Sequence, residues 1–385
     1  MQPDPGGTSR VASPKLLFLV TEDWYFCSHR LPVARAARDA GFTVTVATRV
    51  RDHGDAIRAE GFAVHPLGWR RRSGVFGHLC ALREIVRLYR AERPDILYHV
   101  ALKPVLFGGV AARLMFPAGK RPAMVSAVMG LGVSATARWK RWTLGLALRF
   151  AAAGGAVIVQ NPEDRDALAG FGINLARIAL IRGSGVDTAH FAALPEPEGP
   201  TITVAVVGRM LKSKGVLDAV SAVRSSRAAG EPVELLLAGA PDPDSADSLS
   251  DTEMQELARE PGIEWLGHVA DVHEVWRRAA IALLPSIYGE GVPKSLLEAA
   301  SCARPIVASD MPGCREAVVA GETGLLVPPR DVRALAQAIA ILAGDPKLRR
   351  RMGEAGRARV CIEFADAVIA DATLAVCQAE MERRR

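Results

Sequence analysis

Residues 288–300, YGEGVPKSLLEAA, place two carboxylates, Glu290 and Glu298, eight positions apart around a helix start. Gly289 and Gly291 flank the first acid. Pro293 suits a first helical turn. The amides from Val292 to Ser295, left without intrahelical acceptors, form a place for an anion. Two acids could be the acid–base pair of a glycosidase. They could also be solvated acids at an ordinary helix start. Carboxylates beside a bound anion would repel it, so a third reading has each acid gripping hydroxyls on either side of the anion. A nucleotide sugar, with its hexose, diphosphate and ribose, offers that pattern.

A second stretch points the same way. In GRMLKSKG, 208–215, a glycine directly follows an apolar run. Gly208 permits a tight turn there. Arg209 and Lys214 then project from the carboxyl end of a strand, and two cations near a helix start suit a diphosphate. The alternative is two solvated surface cations. Neither GxGxxG nor GxxxxGK[ST] occurs, so a nicotinamide dinucleotide or a P-loop nucleotide is not indicated.

The elements that must position these residues alternate. Apolar runs at 15–20, 43–48, 62–67, 95–100, 123–130 and 155–161 read as strands, with helices over 30–40, 77–92 and from 103 onward. This is β-α-β-α order, and hence a doubly wound parallel sheet. Around 183–200 the chain turns acidic and Pro/Gly-rich, as a linker does. The pattern then restarts, with strands at 203–208, 233–239, 263–267, 281–286, 305–309 and 324–328 and closing helices over 331–343, 346–363 and 365–383. A length of 385 residues fits about two domains. In open α/β sheets ligands bind beyond the carboxyl ends of strands, so two such domains make a cleft.

Together these motifs resemble the retaining GT-B glycosyltransferases of family 4. The family's glutamate, seven residues, second glutamate pattern stands here as Glu290-Gly291-Val292-Pro293 through Glu298-Ala299. GRMLKSKG matches its phosphate-binding Arg and Lys, GSGVD of 183–187 its linker, and 304–329 its next stretch. The resemblance implies an α/β GT-B fold of two facing Rossmann-like domains. Residues 1–190 would bind acceptor and 191–365 the nucleotide sugar, with 366–385 a last helix packing back on the first domain. It implies that Glu290 holds the donor hexose and Glu298 the ribose. Arg209 and Lys214 would neutralise the departing diphosphate, and Gly267 and His268 would lie near the base. Gly208, Gly291, Val292 and Pro293 complete the donor set. No metal or other cofactor is implied, and retention would follow front-face displacement.

The first half is similar to a bacterial subgroup that builds capsule, O-antigen and N-linked glycans on undecaprenyl diphosphate. The similarity lies in TEDWYFCSHRLPVARAA (21–37), YHVALKPVLFGGVAARL (98–114) and MGLG (129–132). His29, Arg30, His99 and Lys103 would face the cleft by the strand-end rule, three of them on the acceptor side and His99 in a catalytic role. Ala101 stands where the subgroup often has Thr.

Charge is unevenly placed. Residues 1–190 hold 26 Lys and Arg against 14 Asp and Glu, and the remainder 22 against 28. A basic first half suggests an anionic partner, here a phospholipid surface and a lipid-linked acceptor. Arg70, Arg71, Arg72 and the run Trp139-Lys140-Arg141-Trp142 could lie on such a surface. No helix-turn-helix, zinc or RNP signature accompanies the charge, which argues against nucleic acid. Six cysteines without metal spacing read as reduced thiols. The amino-terminal stretch lacks a signal-peptide pattern, and no apolar run is long enough to span a bilayer. The expectation is a cytoplasmic enzyme, peripheral at the inner face of the plasma membrane. It would transfer an N-acetylhexosamine or hexose from a UDP-sugar to a polyprenyl-diphosphate-linked saccharide. A sugar-nucleotide epimerase of the same fold, or a transferase using a soluble acceptor, are the alternatives.

Overall fold

The computed structural model describes residues 13–69, 74–117, 119–131, 138–289 and 291–384. Two parallel sheets dominate it. The first carries β1 (Lys15–Glu22), β2 (Thr43–Arg49), β3 (Ala63–Pro66), β4 (Ile96–Val100), β5 (Ala123–Ala127), β6 (Ala156–Val159) and β7 (Ile178–Leu180). The second carries β8 (Ile202–Val207), β9 (Val233–Ala238), β10 (Ile263–Trp265), β11 (Ile281–Leu284), β12 (Ile306–Ser309) and β13 (Gly324–Val327). Their strand orders are 3-2-1-4-5-6-7 and 10-9-8-11-12-13, with every pairing parallel. The order reverses between β1 and β4 and between β8 and β11, where a crevice opens in such sheets.

Strand sequences explain the layering. KLLFLV and ILYHV are almost wholly buried, as strands covered by helices on both faces must be. Alternate residues feed opposite layers. Leu16, Phe18 and Val20 enter one apolar cluster, and Leu17 and Leu19 another.

Three helices cover one face of the first sheet side by side: α4 (Val75–Glu92), α5 (Leu102–Met115) and α6 (Arg138–Ala152). Two shorter helices follow β1 directly: α1 (Asp23–His29), which lines the cleft, and α2 (Leu31–Asp39), which packs on the sheet's other face against β2. The sequence suggested one helix from residue 30.

The chain leaves the first domain near Val186 and returns beside the same point. The Val186 amide donates to Phe364 O at 3.0 Å, and the Asp366 amide donates to Val186 O at 3.0 Å. The two crossings are thus hydrogen-bonded to each other. The last helix, α15 (Asp366–Glu382), packs on α2 and β5, placing Ile369, Ala370, Leu374 and Cys377 in the first domain's core.

Candidate active site

The loops at the carboxyl ends of both sheets meet around a cleft of about 1110 Å³. From the first domain come residues after β1 (Glu22 to His29), β2 (Arg51 to His53), β5 (Met129, Gly130) and β6 (Gln160). From the second come residues after β8 (Gly208 to Lys214), β9 (Gly239 to Ser245), β10 (His268 to Val272) and β11 (Tyr288 onward).

The second-domain wall is made largely of backbone. Gly208 and Gly239 both adopt left-handed φ, 146° and 145°. A Cβ on Gly239 would meet Gly208 O at 1.8 Å, so the two strand-end turns can lie against each other only as glycine. Gly267 stands behind them, its carbonyl accepting from the Gly239 amide at 2.7 Å, and His268 beside it lines the cleft.

A short turn over Lys212–Lys214 carries the Lys214 side chain back over Gly208, so that a Cβ there would lie 3.5–3.8 Å from Cδ, Cε and Nζ. Arg209 lines the same space and donates to Asp242 Oδ2 at 2.6 Å. The structure therefore brings Gly208, Arg209 and Lys214 together with Gly291, Val292, Pro293 and Glu298. Glu290, the first acid of the pair, lies outside the described residues, as do Arg70, Arg71, Arg72 and Gly132.

Helix α11 (Lys294–Ser301) has Pro293 at its N-cap rather than inside its first turn. The Val292 amide donates to Gln160 Oε1 at 3.0 Å. It is therefore already engaged, which corrects the expectation that every amide from Val292 to Ser295 is free. Pro293 has no N–H, and among the described residues the Lys294 and Ser295 amides have no acceptor. These two remain for an anion. Glu298 is the fifth residue of the helix. Burial pushes its carboxyl up to about 7, against the pull of the Lys294 ammonium and of His190.

The first-domain wall is built from side chains. Asp23 is fully buried and accepts from the amides of Arg51 (2.6 Å), His53 (2.9 Å) and Trp24 (2.8 Å), which fixes the loop after β2 against α1. Asp164 accepts from the amides of Gly130 and Leu131 at 3.1 Å each and from Asn161 Nδ2 at 2.9 Å, which fixes the loop after β5. His29 lines the cleft, stacked on Tyr25 at 4.1 Å, with Nδ1 2.5 Å from Ser28 Oγ. Burial, with Lys294 and Arg30 adding, holds its imidazole well below the usual histidine range, so it is neutral.

Two first-domain expectations fail. His99 is buried beneath α5 and does not reach the cleft; its Nε2 lies 2.9 Å from Tyr89 Oη, and a Cβ on Gly108 would touch its ring. As the fourth residue of β4 it points into the helical layer, and burial drops its pKa to about 3. Arg30 is buried behind Met129, donating to its Sδ at 2.6 Å and lying 6.0 Å from the Tyr98 ring. Lys103, the second residue of α5, has its ammonium 5.6 Å from the Trp69 ring centroid and feels the charge of Glu22, which lines the cleft.

The structure also adds residues that motif reading passed over. The Lys294 ammonium donates to Ser28 O across the cleft, Arg51 pairs with Asp244 at 2.5 Å, and Gln160 reaches Val292. All three are contacts between domains. On the second domain's surface, Asp271, His273 and Glu274 each bring one ligand atom within 4.8 Å of the others, a grouping that sequence spacing did not suggest. Asp271 is already engaged there with His190 Nε2 and the His273 amide.

Two facing Rossmann-like sheets with a cleft at their strand ends are the GT-B class of fold. The chain belongs to the glycosyltransferases: residues 187–359 match the family described as glycosyl transferases group 1, and residues 15–161 the glycosyl transferase 4-like family. It is 35% identical over 221 residues to alpha-maltose-1-phosphate synthase of Mycolicibacterium smegmatis, a match covering 52% of this chain and only 56% of that one. It is 24% identical to the capsular polysaccharide biosynthesis glycosyltransferase CapM of Staphylococcus aureus, covering 79% and 82%. Over 364 residues it is 25% identical to the N,N'-diacetylbacillosaminyl-diphospho-undecaprenol alpha-1,3-N-acetylgalactosaminyltransferase of Campylobacter jejuni, covering 89% and 92%. Among solved structures, Anabaena Alr3699/HepE in complex with UDP and glucose superposes with a TM-score of 0.76 at 18% identity, covering 95% and 100%. That likeness speaks to the fold.

Proposed function

We propose that this glycosyltransferase is a retaining enzyme of surface polysaccharide or glycan assembly. It moves an N-acetylhexosamine or hexose from a UDP-sugar to a polyprenyl-diphosphate-linked saccharide. The observation that carries the reading is the convergence in one cleft of paired strand-end glycines, the Lys214 ammonium and the unpaired amides that open α11. All three suit a diphosphate, and Glu298 stands one turn further in, where a ribose hydroxyl can meet it. The near full-length likeness to a transferase whose name specifies an undecaprenol diphosphate acceptor supports the lipid-linked part.

In this reading the bond between the sugar C1 and the β-phosphate oxygen breaks, and the acceptor oxygen bonds to C1 on the same face. The departing phosphate takes up the acceptor proton. Lys214 and Arg209 stabilise the charge that develops there, Glu290 holds hexose hydroxyls, and the backbone near Gly267 and His268 flanks the base. The aromatic first-domain wall, with Trp24 and Tyr25, faces the acceptor side.

Among the described residues no helix is long and apolar enough to cross a membrane. Helix α6 instead shows an exposed stripe, Trp142, Leu146 and Phe150, beside exposed Arg141 and Arg149. That face suits peripheral contact with an anionic bilayer on the cytoplasmic side. The test is transfer from a panel of UDP- and GDP-sugars to a synthetic undecaprenyl-diphosphate-linked saccharide, with the product anomer read by NMR. An α-linked product from an α-linked UDP-sugar is expected. Transfer to free saccharide alone, or release of an epimerised sugar, would overturn the reading.

A further inference from the structure

We propose that Gln160, a residue of the first domain, belongs to the donor-binding site of the second and donates a hydrogen bond to the diphosphate. The inference rests on the nucleotide-sugar reading above. Gln160 follows β6 directly, is 4% exposed, and lines the cleft. Its Oε1 accepts from the Val292 amide at 3.0 Å. An N–H demands the oxygen of a side-chain amide, so this contact fixes which way the group points and turns Nε2, with two donors, elsewhere. Among the described residues Nε2 has no acceptor.

Two further observations agree. The Gln160 backbone is held rigidly, because the next residue, Asn161, caps α7 (Pro162–Gly170) and its side chain accepts from the Asp164 amide at 2.7 Å. On the other side, a Cβ at Gly291 would stand 2.1 Å from Gln160 Oε1, so the second domain keeps a glycine where the glutamine enters. The Nε2 donors thus join the Lys294 and Ser295 amides and the Lys214 ammonium around one cavity. Donors gathered at a helix start suit an anion, while the cleft's acids, Asp242 on Arg209 among them, lie elsewhere on its lining.

The substitution Gln160→Glu separates this role from a purely structural one. The introduced carboxylate could still accept from Val292, but it would offer no N–H and would set a negative charge beside the phosphates. The full-length Gln160→Glu protein is titrated calorimetrically with UDP and with UMP, alongside thermal unfolding. UDP affinity is expected to fall about tenfold or more, UMP affinity by less, with the unfolding midpoint nearly unchanged. UDP affinity within about threefold of wild type overturns the proposal. Should Gln160→Glu not fold, Gln160→Met, which has neither donor nor acceptor, replaces it with the same UDP criterion. A wild-type protein that binds no UDP sinks the nucleotide-sugar reading instead, so the two failures are distinguishable.

Discussion

The two walls of the cleft are made differently. The second domain presents backbone: glycine turns after β8 and β9, the opening of α11, and Lys214 folded over Gly208. The first domain presents side chains on loops that two buried carboxylates, Asp23 and Asp164, tie down through backbone amides. In the proposed function the second wall meets the donor's diphosphate, which a fixed backbone surface can hold without adjustment. Acceptors vary, and side chains on tethered loops can be exchanged without disturbing the sheet.

The largest expected effect tests the donor wall. Lys214→Ala should lower transfer about 10²–10³-fold, the usual size of losing a preorganised charge contact in the transition state. UDP affinity should fall with it. If acceptor KM rose instead and donor affinity held, the assignment of the walls would be wrong.

Asp23→Ala tests the acceptor wall. Three amides lose their acceptor, and a destabilisation of roughly 1–3 kcal/mol is expected from the unpaired buried donors. The distinguishing readout is acceptor KM, which should rise while UDP affinity stays within about threefold.

Glu298 sharpens the comparison through pH. Its carboxyl is raised from 4.5 to about 7 in the folded state. The folded form therefore holds the proton more tightly than the unfolded one. Its burial costs nothing below about pH 4, and the cost grows as pH climbs from about 4.5 to about 7 and is complete above that. Glu298→Gln should stabilise the free protein at pH 8 by on the order of 1–3 kcal/mol, with the gain vanishing near pH 4, and should weaken UDP binding. A variant no more stable than wild type at pH 8 would contradict the burial argument.

The smallest effect concerns the bridge between the walls. Asp244→Ala removes the partly exposed pair with Arg51 and Arg49. Less than about 1 kcal/mol should be lost, and urea midpoints of the two proteins should converge at high salt.

The same division decided what the sequence could tell. The donor wall was legible because backbone geometry leaves a mark in sequence: Gly208 after an apolar run, and Gly291 and Pro293 at a helix start. Strand positions followed from buried apolar runs. The three residues of β7 were too few to stand out, and α1 lay hidden in DWYFCSH, where aromatic and polar residues give no clear helical period. On the first-domain wall the strand-end rule placed His29 in the cleft but misplaced His99 and Arg30. The rule locates strand ends and not the side to which a side chain turns, and His99 lies one residue too early in β4 to escape the helical layer. Gln160 lay within a recognised strand, 155–161, yet only its contact with Val292 gives it meaning. Lys294 stood within the donor motif, but its partner, the Ser28 carbonyl, comes from the other domain.

The central claim is that the second-domain wall binds the nucleotide diphosphate while the hexose is held separately. Calorimetric titration of UDP into wild type, Lys214→Ala and Glu290→Ala tests it most directly. The account predicts saturable binding to wild type, near-normal binding to Glu290→Ala despite abolished transfer, and strong loss in Lys214→Ala. Equal UDP affinity in wild type and Lys214→Ala would contradict it.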